Sequence, residues 1–491
     1  MNIYLYILAM ALTTYLIRVL PMTIFRKPIK SRFLRSFLYY VPYCCLTAMT
    51  FPSILSSTAS ILSGAAALVV ERFLPLDVPQ LLVTDTRLAF GPMCAELYGH
   101  PARQMKMVGI TGTKGKTTTS YLIKAILEQA GYKCGLIGTT GNMIGSTFIH
   151  GSMTTPEADE LQGLLRHMAD QQVQAVVMEV SAHATAMHRV DGILYDVGCY
   201  TNLSQDHLDY FGTMDKYFEA KKVFFTPRYT RAAALNVDDE STRKILADIQ
   251  IPYTCYGISS DAEIYARDIE ITENGVSFRM CVNKRGERQI KLQMTGIFNV
   301  YNALTAASAA LLLGVSMDDI VKGLESVRAV PGRAEMLDTD TPYKVILDYS
   351  HSPDALENIL KAVRDFTRGR VIALFGCGGD RDHGKRPMMG EIGGRLADFS
   401  ILTSDNPRSE DPYQILAAIE EGIRHTKGAY TVIENRREAI RYALEIARDG
   451  DVVVLAGKGH ETYQEIRGEK HPFDEKIVVK ELLADMRAHK N

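Results

Sequence analysis

Residues 105–131 constrain this chain more than any other stretch. MKMVGI (105–110) is a short apolar run of strand type, and it leads into Thr111-Gly112-Thr113-Lys114-Gly115-Lys116-Thr117-Thr118. A helix follows, SYLIKAILEQA, with Gly131 placed to cap its C-terminus. Strand, glycine turn and helix start together form a phosphate cradle. Glycines let backbone N–H groups approach an anion, and the helix N-terminus adds positive potential. In that frame Lys116 neutralises the β/γ-phosphates of a nucleotide and the Thr117 hydroxyl faces Mg²⁺. The longer form of the loop has glycine where this chain has Ile110, so this is the shorter GxxGKT form.

The chain has 491 residues, 46% hydrophobic and 23% charged, enough for two to four domains. A net charge of −2 argues against a nucleic-acid binder that works by bulk positive charge. Eight scattered cysteines without a CxxC pair argue against a disulfide scaffold and a thiolate zinc site. The charge is also unevenly placed. The first acid is Glu71, after six cations (Arg18, Arg26, Lys27, Lys30, Arg32, Arg35), so the first seventy residues carry +6 and the remainder −8. Residues 1–17 and 36–70 carry no charge, lengths that suit bilayer helices. A secretory signal fits badly, because the cations follow the first apolar run. The basic loop 26–35 would face the cytoplasm, and a helical pair in 36–70 would return the rest of the chain there. The expectation is a cytoplasmic body with membrane association through residues 1–70.

After Glu71 the pattern is α/β. AVVMEVSAH (175–183) is a second apolar strand with Glu179 near its end, where an acid commonly completes the metal site beside a phosphate loop. TNLSQDHLDYFGTMDKYFEAKKVFF (201–225) places His207 between Asp206 and Asp209. Four further runs, KVILD (344–348), RVIALF (370–375), FSILT (399–403) and DVVVLA (451–456), read as buried parallel strands. Ligands in such sheets bind beyond the carboxyl ends of the strands. Arg386, Asp405, Asn406, Arg408, Gly457 and Glu461 should therefore converge on one rim.

TGTKGKTTT, TTPE (154–157), EVSAHA, TNLSQDHLDYFGT, YFEAKKVFF, GIFNVYNALTA (296–306), VPGRAE (330–335), LDYSHSPD (347–354), FGCGGDRDHGKRPMM (375–389), TSDNPRSEDP (403–412) and AGKGHETYQ (456–464) stand in the order seen in Mur ligases. The chain resembles the MurE-type branch over about residues 64–491. YLIRVLP, SRFLRSFLYYVPY and MTFPSIL resemble the small AzlD-type membrane proteins over about 1–65. The fold this implies is α/β: a central phosphate-loop Mur ligase domain (105–332) and a C-terminal Rossmann-like, amino-acid-binding domain (333–491). Before them would lie an all-α apolar segment (1–65) and a remnant of the uridine-binding domain (66–104).

The resemblance implies an ATP-dependent ligase of peptidoglycan precursor synthesis. Its substrate would be UDP-N-acetylmuramoyl-L-alanyl-D-glutamate (UDP-MurNAc-L-Ala-D-Glu), activated as an acyl phosphate that an incoming amine attacks. It implies Mg²⁺ at Thr117, Glu179, His207 and Lys221, the last as a carbamate, with Lys116, Glu179, His207 and Lys221 catalytic. ATP would be held by residues 112–118 (Gly112, Thr113, Lys114, Gly115, Lys116, Thr117, Thr118) with Asn299, Asn302, Arg333 and Asp348. Thr154, Thr155, Ser181 and Arg189 would bind the muramoyl peptide. Arg386, Asp405, Asn406, Pro407, Arg408, Gly457 and Glu461 would bind the amino acid. From the residues alone, Lys221 is equally a surface lysine beside Lys222, and Asn299 and Asn302 are equally helix-start caps.

Arginine at 408 goes, by resemblance, with meso-diaminopimelate. Its distal carboxylate offers a guanidinium a bidentate partner, and Glu461 would take the distal ammonium. L-lysine would leave a buried Arg408 unpaired, at several kcal/mol. Ala182 and Ser350 depart in minor ways from the family pattern. The shortened uridine-binding region departs more, because distant binding energy positions the reacting carboxylate. An L-lysine-adding ligase, a recombined chain with an impaired ligase, a transport component with a nucleotide-binding module and a folate-polyglutamate ligase remain the other readings.

Overall fold

In a computed structural model the chain is described over residues 68–488, except 75–79, 150, 152 and 260. The expected membrane segment lies outside the described residues, apart from its last few positions. Among the described residues no helix is long and apolar enough to cross a membrane. The chain divides into two compact units, Met1–Ala89 and Phe90–Asn491.

In the first unit, β1 (Leu68–Val70) and β2 (Gln80–Leu82) pair in parallel, Leu68 opposite Gln80 and Val70 opposite Leu82. The Glu71 carboxylate accepts from the Thr86 N–H at 3.0 Å and from its hydroxyl at 2.8 Å. Thr86 opens the helix Thr86–Leu97.

The second unit holds two large sheets. The first contains β3 (Lys106–Thr111), β4 (Cys134–Gly138), β5 (Gly141–Ile144), β6 (Thr147–Ile149), β7 (Ala175–Glu179), β8 (Tyr195–Tyr200), β9 (Thr230–Asn236), β10 (Tyr253–Gly257), β11 (Ile264–Thr272), β12 (Gly275–Val282) and β13 (Gly286–Leu292). Their order is β13-β12-β11-β10-β9-β8-β3-β7-β4-β5-β6. The seven strands from β11 to β4 run parallel, and antiparallel hairpins close both edges. β3 lies mid-sheet and is buried from Met107 onward, as its unbroken apolar run requires. The helix Lys116–Gln129 buries Leu122, Ile123, Ile126 and Leu127 along one stripe. Gly131, at φ +90°, ends it as expected, its N–H bonded to the Glu128 carbonyl.

The second sheet contains β14 (Glu335–Leu337), β15 (Lys344–Asp348), β16 (Val371–Phe375), β17 (Phe399–Leu402), β18 (Ala429–Val432) and β19 (Val452–Ala456), in the order β14-β15-β19-β16-β17-β18. All but β14 are parallel. The four apolar runs read from the sequence are β15, β16, β17 and β19, to within a residue at each end. Two apolar clusters cover its faces: Leu356, Leu360 and Ile419 lie on one, Ile440, Leu444 and Leu482 on the other. This leaves the carboxyl ends of the strands to polar residues. A short hairpin, β20 (Tyr463–Ile466) with β21 (Glu469–Pro472), stands beside that rim and bridges to Arg408 through Ile466.

Candidate functional site

The turn after β3 takes a shape that only glycine allows. Gly112 has φ +142° and Gly115 φ +83°. A Cβ on Gly112 would lie 1.9 Å from Thr201 Oγ1, and one on Gly115 would lie 2.4 Å from Asn302 Oδ1. The end of β8 fixes the turn: Thr201 Oγ1 donates to the Lys114 carbonyl at 2.7 Å, and Asn202 Oδ1 accepts the Lys114 N–H at 2.9 Å. Lys116 Nζ donates to the carbonyls of Gly112 (3.0 Å) and Thr113 (2.9 Å). Burial pushes its ammonium down to about 8, against the pull of Glu179. Neither asparagine of the Ile297–Leu312 helix caps it, since Gly296 does. Asn299 Nδ2 instead donates to the Thr295 carbonyl at 2.8 Å. Asn302 Nδ2 donates to Asn299 Oδ1 at 3.0 Å, and Asn302 faces the turn through Thr119 and Gly115.

Glu179 ends β7 beside this turn and is buried. Its carboxylate accepts from the Thr139 N–H (2.9 Å) and hydroxyl (3.0 Å). Lys221 is buried, not a surface lysine. Its Nζ donates to the Gly112 carbonyl at 2.9 Å and lies 4.4 Å from the centre of the Tyr217 ring. Burial, then the nearby Lys116 and Lys114, holds it well below the usual lysine range. Lys222 takes the outward position and pairs with Asp248. His207, at φ +55°, lies 3.9 Å from Asp206 Oδ2, with the His183 ring 4.8 Å from its own.

Of the four residues expected at the acceptor peptide, Thr154, Thr155 and Ser181 gather around Glu179, and Arg189 joins them through the Thr155 carbonyl. Thr154 Oγ1 meets Thr139 Oγ1 at 3.0 Å, and Thr155 Oγ1 donates to the Glu179 carbonyl at 2.8 Å. The Ser181 N–H donates to Thr155 Oγ1, while Ser181 Oγ caps the next helix. Arg189 pairs with Glu157 at 2.6 Å and donates to the Thr155 carbonyl. Its buried Nε has no hydrogen-bond partner, which suits a ligand carboxylate.

Residues of the second sheet close over the turn. Arg333 Nη2 donates to Thr117 Oγ1 at 3.0 Å, and its guanidinium lies 4.8 Å from the Tyr349 ring centre. Lys114 Nζ donates to Ser352 Oγ at 2.8 Å and faces Asp206 at 3.5 Å. Asp348 accepts from the Ala334 N–H at 2.7 Å and from the Ser350 hydroxyl, and burial raises its carboxyl above the usual range. His351 and His460 flank Tyr349, and burial lowers each to about 4.

At the rim of the second sheet Asp405 and Asn406 are buried and Pro407 leads into Arg408, at φ +50°. One expectation is corrected here. Arg408 is neither fully buried nor unpaired: its side chain is 22% exposed, Nε lies 3.2 Å from Glu465 Oε2, and Nη1 donates to the Gly379 carbonyl at 2.8 Å. Glu465 comes from β20, 57 residues along the chain, so local pattern gave no sign of it. The penalty assigned to a lysine substrate is smaller accordingly. Arg386 is buried and pairs with Glu410 at 2.8 Å, its Nε without a partner. Gly457 abuts Asp405, where a Cβ would lie 2.3 Å from Oδ2. Glu461 accepts from Asn406 Nδ2 at 2.9 Å and from Lys458 Nζ at 3.1 Å. Lys458, Tyr349, Thr139 and Glu465 were not singled out by sequence reasoning. Lys458 and Glu461 both lie in AGKGHETYQ, so the signal was there without a reason to weigh the lysine.

Among the described residues no three or more His, Cys, Asp or Glu gather as a metal cluster. A divalent ion here would rest on one hydroxyl, one carboxylate and the phosphates of its nucleotide. That donor set fits Mg²⁺, which keeps water and binds through few protein ligands. Thr117 and Glu179 would hold it.

A phosphate turn met by Arg333 and Ser352 from segments flanking a second parallel sheet defines a nucleotide-binding α/β protein of two sheets, and the comparisons make it an ATP-dependent ligase. The "Mur ligase middle domain" family matches residues 110–310 and the "Mur ligase, glutamate ligase domain" family residues 332–459. The chain belongs to the Mur ligase family. It is 45% identical over 428 residues to the UDP-N-acetylmuramoyl-L-alanyl-D-glutamate--2,6-diaminopimelate ligase of Caldanaerobacter subterraneus, spanning 87% of this chain and 88% of that one. It is 43% identical to ligase 1 of the same name in Clostridium acetobutylicum, over 86% and 88%. A solved structure of a 2,6-diaminopimelate ligase superimposes with a TM-score of 0.63 at 33% identity, covering 89% of this chain and 91% of that one. Folylpolyglutamate synthase of Mycobacterium tuberculosis shares the fold, with a TM-score of 0.63 at 18% identity. Residues 3–76 match the family "Branched-chain amino acid transport protein (AzlD)".

Proposed function

We propose that the chain joins meso-diaminopimelate to UDP-N-acetylmuramoyl-L-alanyl-D-glutamate at the expense of ATP. The observation that carries this is a chain of contacts between two chemistries: Arg333 grips the turn at 112–118 and lies over the Tyr349 ring, and the Tyr349 hydroxyl donates at 3.4 Å to Glu461 of the Asp405–Arg408 rim. The substrate carboxylate attacks the γ-phosphorus, ADP leaves, and an acyl phosphate forms. The amine then attacks the acyl carbon, phosphate leaves, and the amine gives up a proton. Such phosphoryl transfer needs little covalent help from the protein, so positioning and cationic stabilisation dominate.

Lys116 and the turn's N–H groups hold the phosphates, Arg333 reaches them from the second sheet, and Arg189 takes a carboxylate of the acceptor. Mg²⁺, when bound, neutralises charge on the phosphates. Glu179 is presented to that ion by Thr139. Lys221, buried and easily neutral, is in the form of amine that takes up CO₂, and His207 stands beside it as a further ligand. Arg408 and Glu461 receive the distal carboxylate and ammonium of the amino acid. We assign residues 66–104, 105–332 and 333–491 to the acceptor, nucleotide and amino-acid domains, working in the cytoplasm where ATP is. Residues 1–65 form the segment that could tether them to the membrane.

The test is ligation by the purified chain. UDP-MurNAc-L-Ala-D-Glu, ATP and meso-diaminopimelate should yield the tripeptide by mass. Phosphate release without peptide overturns the reading. The standing Arg408–Glu465 pair favours L-lysine as the second substrate to try, because it lowers the cost of leaving Arg408 without a substrate partner.

A further inference from the structure

The most deeply buried charge at the amino-acid rim belongs to none of the residues expected to touch substrate. Lys458 is fully buried. Its ammonium donates to Asn406 Oδ1 at 2.9 Å and Glu461 Oε2 at 3.1 Å, and lies 3.8 Å from Asp405 Oδ1. Asn406 Oδ1 also accepts the Glu465 N–H at 2.9 Å, and Asn406 Nδ2 donates to Glu461 Oε2 at 2.9 Å. An amide so placed cannot turn over, because its NH₂ would then face an ammonium and an N–H. Glu465 in turn holds Arg408: Oε2 meets Nε at 3.2 Å, and the Glu465 carbonyl accepts the Arg408 N–H at 3.0 Å. One line of contacts therefore runs from Lys458 through Asn406 and Glu465 to Arg408, with a branch to Glu461.

We propose that Lys458 is a positioning residue for the amino-acid substrate. It fixes the facing of Asn406 and the place of Glu461, and so sets the spacing between the carboxylate that receives an ammonium and the guanidinium that receives a carboxylate. This rests on the reading above and deepens it. Removing the ammonium would leave Asp405 and Glu461 without the cation between them and take from Asn406 Oδ1 one of the two donors that hold its facing. The rim would then lose its match to a two-headed amino acid while the phosphate turn kept its own.

Steady-state kinetics of Lys458→Met test this. The expected result is a rise in KM for diaminopimelate of about tenfold or more, with KM for ATP and for the acceptor within about twofold of the wild type. Selectivity for diaminopimelate over L-lysine should fall by about fivefold or more. The loss in the Lys458→Met/Asn406→Ala double variant should be well short of the sum of the single losses, as for residues acting in one network. An unchanged KM for diaminopimelate, an equal rise in all three KM values, or full additivity would overturn the proposal. If Lys458→Met is not recovered folded, Lys458→Gln is judged by the same pattern, with a rise of about threefold expected because its amide can still donate to Asn406. A wild-type chain that uses L-lysine instead of diaminopimelate refutes the substrate reading, and Lys458 is then judged on KM for lysine.

Discussion

Two adjacent lysines show what a single position decides. Lys221 is buried against the Gly112 carbonyl and the Tyr217 ring, while Lys222 pairs with Asp248 at the surface. Neighbours on a helix point about 100° apart, so Met214–Lys222 can turn one inward and one outward. The sequence showed two adjacent lysines, and which of them is buried depends on the neighbouring helices and on the phosphate turn that Lys221 reaches. Lys221→Arg should abolish turnover. With isotopically labelled bicarbonate, the wild type should give a carbamate resonance that the variant lacks; a signal present in both would locate the carbamate elsewhere. Arg408 was expected to receive a substrate carboxylate, but the partner it has in the structure was not legible, since Glu465 arrives from a distant hairpin. Arg408→Ala should lower kcat/KM for diaminopimelate by about a hundredfold, as for a lost charge-assisted pair, with KM for ATP unchanged.

At the scale of elements, β3, β7, β15, β16, β17 and β19 were readable because both faces are covered and the apolar run is unbroken. β11 to β13 were not, since their exposed positions carry Arg267, Arg279 and Glu287 in a surface ion-pair ladder that hides the alternation. The loop after β16 gave a partial signal. Its glycines stood out in FGCGGDRD, and the structure supplies the reason. A Cβ on Gly376 would lie 2.0 Å from the Thr403 carbonyl oxygen, and one on Gly379 would lie 2.0 Å from that of Pro407. The loop lies directly on the 403–408 turn, and backbone cannot yield as a side chain end can. Gly379→Ala should therefore displace Arg408. The expected readout is a raised KM for the amino acid and a melting temperature lower by several degrees, with nucleotide binding retained. An unaltered KM would show that the loop is free to move away.

For the whole molecule, acid should be the sensitive condition. His183, His351 and His460 are each held near 4, burial being the leading cause. An unfolded histidine titrates near 6.5. Between those values the unfolded chain binds more protons than the folded one, so stability falls as pH drops through that window. Melting curves should decline from about pH 6.5 towards 4, and His460→Gln should flatten part of the slope; a profile level across that range would contradict the assignment. Histidines at the seam were visible as letters in HSPD and GKGHE, but their burial comes from two sheets meeting, which no local pattern encodes.

The bond from Arg333 to the Thr117 hydroxyl carries one more consequence. The hydroxyl suited to a metal–nucleotide complex already has an occupant from the opposite sheet. Entry of ATP is therefore an exchange: an internal donor yields its acceptor and is rewarded with a triphosphate. Observed nucleotide affinity is the difference between two grips on the same turn, and loosening the internal one should tighten the external one.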